Sequence, residues 1–117
     1  MSQKLLACLP AEKNMTPYID YQAYLVESLK HAEKAQAHLE VALEEYEQQG
    51  DAPFFLLAVR NVMEAQGGII PLAERTQIPP EQLEQVLSSE EAPPLRIIGL
   101  LLHGLGFRLR VARATAA

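Results

Sequence analysis

The run LAERTQIPPEQLEQVL, residues 72–87, constrains this chain more than any other stretch. A short helix crossed closely by a second one needs an apolar residue followed by a small one, and Leu72-Ala73 supply them. Ile78 then falls in a turn, and Leu83 and Val86 fall on the inward face of the second helix. Thr76 is tolerable at a sixth position of the pattern. The spacing predicts a helix-turn-helix over about residues 69–88, although it also suits a generic helix pair in an α bundle. Gln77 stands where the turn backbone goes left-handed and glycine is usual, at a cost on the order of 1 kcal/mol.

The rest of the chain reads as helix around this pair. Residues 1–17 lack clear periodicity, contain Pro10 and Pro17, and read as an arm. Asp20 suits an N-cap, and Tyr21, Tyr24, Leu25 and Leu29 mark one helical face through about Lys30. From about Ala32 to Gln49, the residues Ala35, Leu39, Ala42, Leu43 and Tyr46 give an amphipathic helix that Gly50 ends. Asp51 caps the next helix, Pro53 sits in its first turn, and Phe55, Leu56, Val59, Val62 and Met63 form its buried face before Gly67-Gly68. A last helix runs from Leu95 to about Leu105, with Gly106 closing it. FRLRV, Phe107–Val111, alternates apolar residues with arginine, which is a strand period. The expected fold is all-α, a helical bundle containing a helix-turn-helix, with a short C-terminal β-strand. It makes one domain over residues 18–112, followed by a tail at 113–117.

Charge bears on what this fold can hold. The chain carries a formal net charge of -5, which argues against attachment to nucleic acid by bulk charge alone. Residues 69–91 hold five glutamates against Arg75, while residues 96–117 hold four arginines and no acidic residue. Cys8 is the only cysteine, so no intrachain disulfide can form and a reducing, cytoplasmic setting is expected. No segment approaches the ~20 apolar residues of a membrane helix.

Other chemistry-bearing residues read as structural. His31 and His38 are surface histidines on a helix without the further converging ligands a metal needs. His103 sits among leucines at a helix end, and Gly67-Gly68 lacks the GK[ST] partner of a phosphate loop. Cys8 has no nearby histidine to activate it. No enzyme and no cofactor are expected.

The order YL…AHLEVALEE…GD…FFLLAVRNVMEAQGG…LAERTQI…LEQVLS…LLHGLGFRLRV resembles the addiction-module antidote family of helix-turn-helix proteins, over about residues 18–112. The resemblance implies a small bacterial antitoxin of the Cro-repressor-type superfamily, paired with a RelE/ParE-like toxin. The second motif helix of that family usually begins Ser-Arg-Glu and continues to Leu-Tyr-Arg. Here Pro79-Pro80-Glu81 and Leu83-Glu84-Gln85 stand instead. The apolar positions stay while the hydroxyl, the basic residues and the tyrosine are gone. Lysines common in the last helix of the family are also absent, leaving Arg96 and His103.

Two functions follow as expectations. In the first, an antitoxin-like transcriptional regulator binds operator DNA as a homodimer, and also binds a cognate toxin. Gln82 and Gln85 would read bases, Glu81 would sit at the groove, Arg75 and Arg96 would touch phosphates, and the amides near Gly68–Ile70 would hold another. In the alternative, a protein-interaction module keeps the fold and has lost sequence-specific DNA binding, its acidic motif meeting a basic partner. The strand has unpaired edges and must find a mate, whether within the chain, in a second copy or in a toxin. Phe107, Leu109 and Val111 would face a core or interface, with Arg108, Arg110 and Arg113 free for phosphates or an acidic partner.

Overall fold

A computed structural model describes residues 17–114 as six helices. They are α1 (Pro17–Ser28), α2 (Ala32–Gln49), α3 (Ala52–Ala65), α4 (Ile69–Thr76), α5 (Pro80–Leu87) and α6 (Leu95–Gly104). Of the arm expected over residues 1–17, residues 1–16, with Cys8, lie outside the described residues, and Pro17 is the first residue of α1. No helix among the described residues is long and apolar enough to cross a membrane.

The centre of the bundle is α3, which packs on α1, α2, α4 and α5. Its sequence, APFFLLAVRNVMEA, is apolar around most of its circumference, and such a helix is stable only when surrounded. Leu56, Val59 and Val62 are completely excluded from solvent. Burying each such side chain contributes roughly 1.5–3 kcal/mol before conformational entropy is charged against it. The one polar residue buried in α3, Asn61, accepts a hydrogen bond from Gln22 Nε2 of α1 at 2.9 Å. That bond both satisfies the amide and fixes α1 against α3.

Helix ends follow local rules. The N–H of Gly50, at φ 73°, donates to the Tyr46 carbonyl and ends α2. Asp51 Oδ1 accepts from the Phe54 N–H at 3.2 Å and starts α3. The first helix begins at Pro17, so Asp20 lies inside its first turn and is not its N-cap. Proline at a helix start loses no helical hydrogen bond, which lets the helix begin there.

The expected strand does not form. At the end of α6 the Gly106 N–H donates to the His103 carbonyl and the Phe107 N–H to that of Leu102, closing the helix and turning the chain. Half-buried Phe107 packs against the core, but residues 107–114 have no regular secondary structure. A strand needs a ladder partner. Every neighbouring element among the described residues is a helix whose backbone groups are already paired, so the alternation of FRLRV finds no ladder partner among them.

Candidate functional site

The two short helices α4 and α5 are joined by the three-residue turn Gln77–Pro79. Gln77 has φ 63° and ψ 27°, the only described non-glycine residue in the left-handed region. Its N–H donates to Ala73, and its side-chain amide donates to the Glu74 carbonyl at 2.9 Å, which offsets part of the strain. Thr76 is buried, and its hydroxyl donates to the Leu72 carbonyl at 2.8 Å and accepts from the Ile78 N–H at 3.3 Å. The threonine that only tolerably fitted the pattern therefore pins both sides of the turn.

Leu72, Ala73, Leu83 and Leu87 hold the pair to the core, Leu83 with no exposure at all. Gly104 lets α6 cross close to α4. A methyl group placed there would sit 2.7 Å from Leu72 Cδ1 and 2.8 Å from Thr76 Cγ2. Sequence reading missed this glycine, because nothing in LLHGLGF distinguishes a crossing point from a helix end.

The outer face of α5 exposes Pro80, Glu81, Gln82, Glu84 and Gln85. Gln82 and Gln85 lie one turn apart, and their side chains have no hydrogen-bond partner among the described residues. Pro79 and Pro80 have no N–H, so two of the donors that a helix start would offer to an anion are missing. Beside this start is a shallow depression lined by Ile70, Ala73, Ile78, Pro79 and Pro80, with Glu74 and Gln77 at its edge. Ile70 is 55% exposed next to the α4 N-terminus, whose Gly68 cap makes no side-chain hydrogen bond.

Arg75 is engaged away from this face. Arg75 Nη1 donates to Gln66 Oε1 at 3.1 Å and to the Gly104 carbonyl at 3.0 Å. Gln66 Nε2 in turn donates to the Leu105 carbonyl at 2.8 Å. Arg75 thus caps the negative end of α6 and ties three elements together, a favourable place for a cation. Arg96 is exposed in the first turn of α6, about 12 Å along the helix axis from Gly104 at the standard rise per residue. Arg75 and Arg96 therefore serve opposite ends of α6 and do not converge.

Arg60 of α3, which sequence reading passed over, reaches α5. Its Nη2 lies 3.4 Å from Glu84 Oε2 and 3.5 Å from Ser88 Oγ. Glu84 is exposed and Arg60 partly so, and a pair open to solvent contributes at most about 1 kcal/mol. It does balance the charge of Glu84, and leaves Glu81 and Glu74 without an ion-pair partner among the described residues.

Phe107, Arg108, Leu109 and Arg110 lie beside α2, where they share a groove of about 320 Å³ with Gln36, Leu39, Glu40, Leu43, Phe55 and Leu102. None of the groove's residues belongs to α4 or α5. Val111 is 97% exposed and Arg113 is also exposed, so neither Val111 nor the tail arginine meets a core in this chain. Among the described residues no group of three or more His, Cys, Asp or Glu side chains converges as a metal site would require. The chain matches no protein-family model, no curated protein and no solved structure.

Proposed function

We propose that this chain is an antitoxin-like protein of helix-turn-helix fold whose α4–α5 unit docks on a basic protein, and which has given up sequence-specific DNA reading. It is a binding protein of the cytoplasm and not an enzyme. The observation that carries this reading is the start of α5, where Pro79 and Pro80 offer no N–H, Glu81 adds negative charge, and the arginines of the two nearest helices are engaged, Arg75 on Gly104 and Arg60 on Glu84. DNA binding draws on cations that displace condensed counterions and on N–H donors aimed at phosphates. At the start of α5 both are reduced, since two N–H donors are missing and Arg60 and Arg75 are engaged. The apolar depression at Ile70, Ile78 and the two prolines, with Glu74 in its lining and the exposed Glu81 next in sequence to Pro80, suits a surface with apolar residues among lysines and arginines. A RelE/ParE-like toxin, the partner implied by the family resemblance, is the expected kind of occupant.

A second reading keeps operator binding, and one observation favours it: Gln82 and Gln85 are exposed and unpartnered on α5, and glutamine pairs bidentately with adenine. Fluorescence anisotropy with DNA from upstream of the gene, beside scrambled DNA, separates the two. The expected outcome is no saturable binding at physiological salt. A preference of about a thousandfold over the control would establish the DNA reader instead. For the protein partner, titration with a toxin encoded next to the gene should show Glu81→Lys weakening the complex roughly tenfold, as removal of a complementary charge does.

A further inference from the structure

The C-terminal run offers a second surface, remote in sequence and opposite in charge from the α5 face. After Phe107 the chain continues to residue 114 without turn, bend or helix. No backbone hydrogen bond joins residues 108–114 to any other described residue. The groove beside it is floored by Leu39, Leu43, Phe55 and Leu102, while the exposed Arg108 and Arg110 lie at its rim. Neither arginine has an ion-pair partner among the described residues, although Glu40 lies in the same lining.

Four features coincide: backbone groups without partners, a period-two alternation of apolar and basic residues, an apolar floor, and two unpaired guanidiniums. A small amphipathic anion would use only the last two. An added strand would use all four. We propose that residues 107–111 form a strand-addition site for an extended segment of a partner protein in which acidic and apolar residues alternate. The incoming backbone supplies the ladder that is lacking among the described residues. Alternate apolar side chains enter the groove, and carboxylates between them meet Arg108 and Arg110 in charge-assisted hydrogen bonds.

A second copy of this chain fits less well. Antiparallel pairing of two copies about Leu109 sets Arg108 of one against Arg110 of the other, and like charges directly opposite are destabilising. The homodimer expected from the sequence thus becomes one outcome of the test. The site does not depend on the proposal for α5, and its test uses residues outside α4 and α5.

The experiment titrates the full-length protein into a labelled heptapeptide of alternating glutamate and valine, with a lysine–valine peptide and an N-methylated acidic peptide as comparisons. Saturable binding of the acidic peptide, roughly tenfold or more above the lysine peptide, is expected on charge complementarity. N-methylation should abolish it, because strand addition needs the peptide N–H groups. The Arg108→Glu/Arg110→Glu double variant, altered only at exposed positions and checked for helicity by circular dichroism, should reverse the charge preference. Absence of saturation with the acidic peptide would overturn the proposal. Equal binding of the N-methylated peptide would overturn strand addition and leave a plain anion site. A dimer in sedimentation that Leu109→Arg splits would give the site to a second copy and overturn the acidic partner.

Discussion

The α4–α5 unit and the C-terminal run both come from sequence patterns that predict secondary structure, and only one of them becomes it. In α4, α5 and their turn each apolar position of the pattern is buried in the core or packed against it, and even the strained Gln77 is held by its own side chain. In FRLRV the alternation is just as regular, yet no ladder partner is present among the described residues and the run stays irregular. A helix satisfies its backbone within itself, whereas a strand borrows from a neighbour. The two regions also divide the charge: acid gathers at the turn and α5, and base lies along the run after α6. A chain built this way presents two surfaces of opposite sign.

The contrast can be broken most severely at Leu83. Truncation to Ala should cost about 2–5 kcal/mol, because the side chain is fully buried beneath α5. Val111→Ala, in the other region, should change stability by less than about 0.5 kcal/mol. Urea denaturation of the two variants side by side measures the difference, and similar midpoints would refute the packing described here. Next in size is Gly104→Ala. Forcing Leu72 and Thr76 away from the new methyl should cost about 1–3 kcal/mol, visible as a lowered Tm.

A smaller effect of opposite sign is expected at the turn. Gln77→Gly relieves the left-handed strain but loses the amide bond to Glu74, and should stabilise by about 0.5–1 kcal/mol. A loss of stability would mean that the amide contributes more than the strain costs. The smallest effect concerns His38 on α2. Burial holds its pKa below the ordinary 6.5, and its Nε2 has no hydrogen-bond partner. The unfolded chain then binds the proton more readily than the folded one, so stability declines as pH falls below about 6.5. His38→Gln should flatten that part of the stability profile, measured by denaturation between pH 5 and pH 8.

Much of the fold could be read from the chain in one dimension. Gly50, Asp51, Gly67-Gly68 and Gly106 mark helix ends through interactions spanning only a few residues, so the boundaries of α2 to α6 fall close to where the sequence puts them. The first helix starts earlier than Asp20 suggested, since proline is as good a beginning as a cap. The candidate site was legible in part. Exposure of Glu81, Gln82 and Gln85 follows from their register against Leu83 and Val86. The role of Arg75 did not follow, since its partners Gln66 and Gly104 lie 9 and 29 residues away. Arg60 went unnoticed for the same reason, its partner Glu84 being 24 residues distant.

By itself, then, the sequence determined the helices, the left-handed turn at Gln77 and the separation of acid from base, because each depends on neighbours along the chain. Tertiary structure decided which arginines remained available and where two helices needed a glycine between them. It also decided whether FRLRV became a strand. Those outcomes rest on contacts between distant segments, where a guanidinium takes whichever carbonyl or carboxylate the fold brings within 3–4 Å and a strand forms only where the fold supplies an edge.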